Sequence, residues 1–399
     1  MSREEVVIVS AVRTPFDKFG GITKKMTTVE LAAPVFEEIM KRAQVKPDEV
    51  EEVYLGINWP TSNRSIARQA ALKSGIPPQV NATTVDRACC SSMVAIAMAY
   101  RAIALGEAEV GIGGGSENMS NVPFFLEELR WGKRIGDVIL KDIMVVSCPY
   151  TGKTRAVQAG EGAVKYGISR EEQDEWAVRS QQLYRKAFET GRFNDEIIPI
   201  RVEVEKNKFE LLERDQSPRP DTTLEKLSKL PNVYNSPTVT AGNAPGMNSG
   251  AAAVVLMNKK KALERGLQPL ATIVSHAQAS DHPDGIVYTP AYAALKALKK
   301  AGMTVEQMDV IEINEAFAAM PLVSTKILGE NDEAKIQTIR AKTNVNGGAI
   351  AIGHPTGATG ARLLMTACYE LKRRGGGYGL VTICGGIGEG ECFIVKVEP

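Results

Sequence analysis

Apolar positions along this chain come in short blocks, and the blocks recur in the same order in its first 120 and last 130 residues. Val7-Ile8-Val9-Ser10 and Thr272-Ile273-Val274-Ser275 each read as a strand opening a unit. Pro47 to Asn58 and Thr304 to Glu315 each read as a helix end, a short connection and a buried strand. Two helices rich in small residues follow, Ser91 to Leu105 and Gly357 to Arg373, and each leads into a strand ending in glycines, Ala108 to Gly115 and Gly379 to Gly388. The strands are almost continuously apolar, without alternation. That pattern predicts two similar α/β halves on a mainly parallel sheet covered on both faces.

The halves differ at one point. In the second, the turn Gly385-Gly386-Ile387-Gly388 leads straight into a last strand, Glu391 to Val397. In the first, the matching strand, Gly250 to Met257, comes only after about 130 further residues, so Ser116 to Ser249 reads as an excursion inserted into a hairpin. The expected organisation is a first half of residues 1–118 with 250–269, an inserted unit of 119–249, and a second half of 270–399. Within the insertion, Arg170 to Thr190 has helical spacing, with Ser169 and Glu172 placed as a capping box. Charged, Pro-containing Glu205 to Pro237 reads mostly as exposed loop. Lys259-Lys260-Lys261 and Lys372-Arg373-Arg374 read as solvated charge near helix ends.

A length of 399 residues suits two or three domains at roughly 100–200 residues each. Lys and Arg number 48 against 47 Asp and Glu, so a net charge of +1 supplies no global reason to bind nucleic acid or an anionic membrane. The six cysteines (Cys89, Cys90, Cys148, Cys368, Cys384, Cys392) contain no C-x-x-C pair, which makes zinc and structural disulfides poor readings and a reducing compartment the better one. The apolar run Val6 to Val9 is too short for a signal sequence and reads as the strand of a cytoplasmic protein.

Four places carry candidate chemistry. In Asp86-Arg87-Ala88-Cys89-Cys90-Ser91 a strand turns into a helix, where the macrodipole favours a thiolate; either sulfur could be the one that matters, and an inert packed thiol is the alternative. His354 occupies the symmetric turn of the other half, flanked by small residues that admit a ligand, and a Cys–His pair is a minimal activated nucleophile. Cys384 ends a strand before Gly385-Gly386, whose N–H groups could hold an oxyanion. Asn314 and Glu315 sit at a strand end, where open α/β sheets place their sites. His276 and His282 read as surface or substrate-edge residues.

Together with these residues, the segments VSAVRTPF (9–16), ENMSNVP (117–123), SREEQD (169–174), VTAGNAPG (239–246), NEAFA (314–318), GGAIAIGHPTGATGAR (347–362) and CGGIGEG (384–390) make the chain similar, over essentially its whole length, to the thiolase family. The resemblance implies a thiolase fold and ping-pong acyl transfer between a cysteine and coenzyme A, with acyl-CoA thioesters as substrates. Coenzyme A would be a cosubstrate, with no permanently bound cofactor and no metal. Cys89 matches the acylated nucleophile, His354 its activating base, and Cys384 the acid/base for the α-proton. Asn314 matches the residue that holds an oxyanion water with His354, while the N–H groups of Cys89 and Gly386 match a second oxyanion site. Arg219 matches an arginine near the adenine end of coenzyme A, and Ala241, Pro245 and Phe317 fall at substrate- or coenzyme-contacting positions.

The chain also departs from the family pattern. Pro245 replaces a pantetheine-bonding serine, Ser249 an acidic residue, and Cys90 and Ser92 stand where Gly or Ala and Gly are common. Asp284-Gly285-Ile286-Val287-Tyr288 replaces a Met-Gly-x-Gly-Pro stretch. Aligned without gaps, Arg155 occupies a pocket position usually held by Met. A guanidinium there should be paired with Asp284 or Glu161, or else should meet a polar or carboxylate-bearing acyl chain. A decarboxylating ketosynthase would carry histidine in place of Asn314, and a non-enzymatic lipid carrier would have lost part of the catalytic set. A homodimer or homotetramer is expected, with Asn118 to Arg134 partly in subunit contacts, because Phe124, Phe125, Leu126, Leu129 and Trp131 form an apolar cluster in a polar excursion. A local mini-core is the alternative.

Overall fold

The computed structural model describes residues 4–145 and 147–399. The first half runs β1 (Val6–Arg13), β2 (Asp17–Lys18), α1 (Thr28–Arg42), β3 (Glu52–Gly56), α2 (Ile66–Lys73), β4 (Asn81–Val85), α3 (Ser91–Ala104) and β5 (Val110–Asn118). The chain then leaves the sheet for β6 (Phe125–Leu126), β7 (Leu140–Lys141), α4 (Arg155–Lys165), α5 (Arg170–Glu189), β8 (Ile200–Glu205), β9 (Lys208–Leu212) and α6 (Leu224–Ser228). It returns as β10 (Asn248–Asn258), followed by α7 (Lys259–Glu264). The second half comprises β11 (Ala271–Ser280), α8 (Thr289–Ala301), β12 (Val310–Ile313), α9 (Ala319–Leu328), α10 (Glu333–Lys342), α11 (Ala349–Ile352), α12 (Thr359–Arg373), β13 (Gly377–Gly385) and β14 (Glu389–Val397).

The main strands lie in the order β12-β13-β14-β11-β1-β10-β5-β3-β4, and the two halves meet where β1 pairs with β11 at Val7↔Thr272 and Ile8↔Ala271. On either side of that seam the order is the same reading outward, which is the pseudo-twofold relation. The sheet is not mainly parallel. Only β3/β4, β3/β5 and β12/β13 run parallel; β1/β10, β1/β11, β5/β10, β11/β14 and β13/β14 are antiparallel. The missing alternation has another cause, burial of both faces. Ile8, Val254 and Leu256 pack inward with α3 and α12, while Val7, Val255 and Met257 pack outward with α1 and α2. In the second half, Val381 and Val395 face α12, and Leu380 and Ile394 face α8. The connections before β3 and β12 are single 3₁₀ turns, Pro47–Glu49 and Val305–Gln307, rather than helix ends.

In the excursion, Ser169 Oγ accepts from Glu172 N–H and the Glu172 carboxylate accepts from Ser169 N–H, the capping box that starts α5. The stretch after Glu205 is mostly exposed, but it holds β9 and α6, and Asp215 within it is buried. Asp215 accepts from both terminal nitrogens of Arg13 at 2.7 and 3.0 Å and from Phe16 N–H at 2.7 Å. Arg13 Nε reaches Glu196 at 3.0 Å, and Glu196 accepts from Thr366 Oγ1 at 2.9 Å. This buried knot ties the excursion to β1 and α12. Loss of one partner of such a pair costs about 3–5 kcal/mol.

The helices α3 and α12 meet face to face through glycine and small polar residues. Ala361 N–H donates to Ser92 Oγ at 3.0 Å, and, just before α12, a Cβ on Gly115 of β5 would stand 1.8 Å from Gly357 O. We expect Gly115→Ala to lower thermal stability by about 1–3 kcal/mol or more, because the blocking atom is backbone and cannot swing away. Gly111→Ala, whose new methyl would meet Ala99 at an ordinary 3.4 Å, serves as the tolerated control on the same strand. Equal melting temperatures for the two variants would contradict this packing.

Candidate active site

The parallel strands β3, β4 and β5 deliver their C-terminal ends to one side of the first half, and β12 and β13 do so in the second; ligand sites of open α/β sheets form there. After β4 the chain turns at Ala88, whose φ of 49° lies in the left-handed region, and enters α3 with Cys90 as its N-cap. Ser91 Oγ accepts from Arg87 N–H at 2.8 Å, and the Arg87 guanidinium grips Glu389 at 3.1 Å and Glu391 at 2.9 Å on β14. The turn is therefore held from both halves. Cys90 is fully buried, its Sγ 3.7 Å from Ile383 O, whereas Cys89 remains partly open to solvent.

His354 precedes α12. Its Nδ1 lies 2.7 Å from Thr359 Oγ1, and that hydroxyl gives its own proton to Pro355 O at 2.9 Å. Thr359 therefore accepts from Nδ1–H, which leaves Nε2 as the basic nitrogen. Asn314, directly after β12, places Nδ2 3.4 Å from that Nε2, while its buried Oδ1 finds no partner among the described residues. Asn248 Oδ1 accepts from His354 N–H at 2.8 Å. Glu117, at the end of β5, accepts from Thr356 Oγ1, Gly357 N–H and Asn58 N–H at 2.8, 2.9 and 3.0 Å, clamping the histidine turn to the loop after β3. Burial pushes the Glu117 carboxyl up to about 7 against those hydrogen bonds.

Cys384 lies buried near the end of β13, and Gly386 follows it. A Cβ on Gly386 would sit 3.5 Å from the Ala88 methyl and from Arg155 Nε, so the glycine turn, the nucleophile turn and the start of α4 converge. The Gly386 N–H has no acceptor among the described residues. The expectation that the helix terminus makes Cys89 a resting thiolate is not met. Burial of its sulfur, with Cys384 and Glu117 nearby, drives the thiol well up, and Arg155 opposes this only in part. Burial likewise pushes Cys384 up to about 12 and, aided by Arg362, pushes His354 down to about 3. At rest the trio is uncharged.

Arg219 and Ala241 line a separate groove of ≈ 390 Å³ with Lys18, Ser217, Ala244 and Gly246; Pro245 lies between the last two in sequence. Phe317 packs on the apolar cluster that contains Cys384 and also Leu227 and Ile350 of the groove wall, linking groove to centre. Arg155 is not paired with Asp284 or Glu161. Both acids are taken by Lys153, at 3.3 and 2.6 Å. His276 is neither at the surface nor beside the site: it is buried in β11, bonded to Glu391 and packed on Phe393.

Sequence profiles of the thiolase N-terminal and C-terminal domains match residues 6–260 and 267–397. This chain belongs to the thiolase family. An acetyl-CoA acetyltransferase of Syntrophomonas wolfei is 41% identical over 401 residues, covering 98% of this chain and 99% of the relative. Among solved structures, the acetyl-CoA acetyltransferase of Bacillus anthracis superposes with a TM-score of 0.94 at 42% identity, covering 99% of each chain. Human mitochondrial 3-ketoacyl-CoA thiolase in complex with CoA gives 0.92 at 37% identity, covering 99% of this chain and 98% of that one. This thiolase has the two-half α/β fold of the family and is an acyltransferase of the type that cleaves or condenses 3-oxoacyl thioesters, with coenzyme A as cosubstrate.

Reading the sequence assigned no role to Glu117, Asn248, Thr359 or Arg87, yet these orient the thiolase centre. A lone carboxylate closing the glycine strand Gly113-Gly114-Gly115 was the available signal for Glu117. The tautomer and depressed basicity of His354 are measurable, since the chain has three histidines. We expect ¹⁵N NMR to show a His354 ring that stays neutral, with Nε2 unprotonated, down to about pH 5, below the ordinary histidine range. A titration near 6.5 would contradict burial as the cause of the depressed basicity, and a protonated Nε2 would contradict the Thr359 contact as the cause of the tautomer.

Proposed function

We propose that Cys89 carries the acyl group, that His354 moves its proton, and that Cys384 removes or returns the α-proton of the acetyl-CoA partner. One observation supports this most: a partly exposed cysteine sits at a helix terminus within electrostatic reach of a second, buried thiol and of Glu117, whose carboxylate clamps the turn that carries His354. Because burial disfavours charge on all three, a thiolate–imidazolium pair is costly at rest. The proton leaves Cys89 as negative charge moves onto the thioester oxygen, which the N–H groups of Cys89 and Gly386 stabilise. Asn314 and His354 Nε2 serve the other thioester oxygen through a water, for which the orphan Asn314 Oδ1 offers an acceptor.

Coenzyme A lies in the groove, where Lys18 and Arg219 face its phosphates and Ala241 and Pro245 its pantetheine arm; Phe317 stands where that arm enters the centre. Residues 119–249 act as a lid that carries much of this groove, between a half made of 1–118 with 250–269 and a half made of 270–399. The substrates are acyl-CoA thioesters. The chemistry needs Cys89 and Cys384 as free thiols, as in the structure, which suits a reducing cytoplasm.

Cys89→Ala abolishes acyl transfer and covalent labelling by acetyl-CoA, whereas Cys90→Ala retains most of both. Mass spectrometry after brief exposure decides, and an acetyl group on Cys90 would overturn the assignment. Cys384→Ser lowers α-proton exchange of acetyl-CoA with solvent by about 10²–10⁴-fold and thioester exchange far less. Equal losses would refute the division of labour.

The protein assembles as a homodimer or homotetramer through the excursion. Phe124, Phe125, Leu126 and Leu129 are exposed, Trp131 is 88% and Ile135 87% exposed, so the cluster is not a local core. Light scattering at micromolar concentration should show at least a dimer, and Trp131→Lys with Ile135→Lys should reduce the assembly. A monomeric parent protein would refute this.

A further inference from the structure

Arg155 is the first residue of α4, and its field reaches both Cys89 and Cys384. One edge of the guanidinium is fixed: Nη1 donates to Gln158 Oε1 at 2.8 Å, and the Gln158 amide nitrogen is itself held by Thr151 Oγ1, Pro283 O and Asp284 Oδ1 at 3.2, 3.2 and 2.9 Å. The other edge is turned toward the catalytic turn, with Nε and Nη2 at 3.5 and 3.6 Å from where a Cβ on Gly386 would stand.

No carboxylate lies within ion-pairing distance of Arg155 among the described residues. The two acids placed to neutralise it, Glu161 and Asp284, are engaged by Lys153. Its one protein partner capable of negative charge is the Cys148 thiol. Burial raises that thiol, but hydrogen bonds from Thr151, from Tyr150 N–H and from Arg155 outweigh it and bring it down to about 7. A neutral amide and a thiol therefore leave the partly exposed guanidinium without a carboxylate partner beside the apolar cluster of Ala156, Ala159, Ile286 and Val287.

We propose that the Nε–Nη2 edge of Arg155 receives a carboxylate at the far end of the acyl group, so that this thiolase acts on short 3-oxo-dicarboxylyl thioesters of coenzyme A. The inference rests on Cys89 as the acylated residue. A planar fork with one edge anchored on a neutral amide and no carboxylate on the other is the arrangement that binds a carboxylate in two places. The acyl group is short because the free edge borders Gly386, whose N–H serves the thioester oxygen. A succinyl group, with roughly 4 Å between its two carbonyl carbons, spans that gap; longer diacids would have to fold back.

In the cleavage direction Cys89 gives its proton to His354 and its sulfur attacks C3 of 3-oxoadipyl-CoA. The C2–C3 bond breaks with its electron pair going to C2, which takes a proton from Cys384 and leaves as acetyl-CoA, and the proton held by His354 restores the Cys384 thiol. The succinyl group stays on Cys89 with its carboxylate on Arg155. Free coenzyme A then attacks the thioester, passing its thiol proton through His354 to the departing Cys89 sulfur, and succinyl-CoA is released.

The test is kcat/KM for 3-oxoadipyl-CoA, its two-carbon-longer homologue and acetoacetyl-CoA, in the native enzyme, Arg155→Met and Arg155→Lys. We expect the native enzyme to prefer 3-oxoadipyl-CoA over both others. Arg155→Met should lower the ratio of 3-oxoadipyl- to acetoacetyl-CoA by about 10- to 100-fold, with partial recovery in Arg155→Lys. No native preference for the diacid would overturn the proposal, as would an equal fall on both substrates, which would assign Arg155 to charge on the cysteines instead. The native measurement and Arg155→Lys keep the result decisive if Arg155→Met does not fold. Mass spectrometry of the native enzyme after 3-oxoadipyl-CoA separates the two levels: a succinyl group on another residue overturns the Cys89 assignment, whereas succinyl on Cys89 without kinetic preference overturns only the role of Arg155.

Discussion

Around α12 there is little room for a side chain: a Cβ on Gly360 would stand 2.5 Å from Met93 Cγ and 3.0 Å from Ser92 Oγ of α3, and one on Gly115 of β5 would stand 1.8 Å from the Gly357 carbonyl oxygen. That close approach sets the distance between the Cys89 and His354 turns, because Cys89 leads into one helix and His354 precedes the other. Larger side chains would separate the helices by the thickness of a side chain and carry the imidazole away from the thiol. The small-residue composition of both helices therefore belongs to the chemistry as much as to the packing. Glu117 reinforces the same junction from the edge, since its carboxylate binds the His354 turn and the loop after β3 together.

Having drawn the reacting groups into the interior, the fold makes their charged forms expensive. The thiols of Cys89 and Cys384 are held up and His354 is held down, all by burial first. At rest these groups are uncharged, and on the proposed mechanism they stay so until a thioester arrives to accept negative charge, for which the N–H groups of the glycine turn are worth more than they would be in water. Arg155 breaks that pattern as the cation left at the edge of this region without a carboxylate of its own.

The excursion depends on a different buried contact. Arg13 leaves the end of β1 and gathers Glu196 and Asp215 from the excursion, and Glu196 in turn meets Thr366 of α12. The segment carrying Ser217 and Arg219 follows Asp215 directly, so this ionic knot positions the groove relative to the helix that follows His354. Groove and catalytic centre share one apolar cluster, with Phe317 and Cys384 at one end and Leu227 and Ile350 at the other.

Much of this was readable along the chain because it is written in local terms. Glycine and small residues mark the turns and the helices that approach closely, Ser169 and Glu172 mark a helix start, and the repeated order of blocks reveals two halves. Cys89 and His354 stood out because each lies in a turn before such a helix. Strand direction was not readable, since a strand covered on both faces is apolar throughout whether its neighbours run parallel or antiparallel. Nor was the burial of Asp215, which lies in a polar stretch and is buried only because Arg13, some two hundred residues earlier, comes to meet it. The protonation of Cys89 went the other way from its helix position for the same kind of reason: the macrodipole is a property of a few adjacent residues, whereas desolvation is set by everything the folded chain brings around the sulfur. Whether Arg155 was spoken for by Asp284 or Glu161 depended on where Lys153 pointed, and no spacing along the chain encodes that choice.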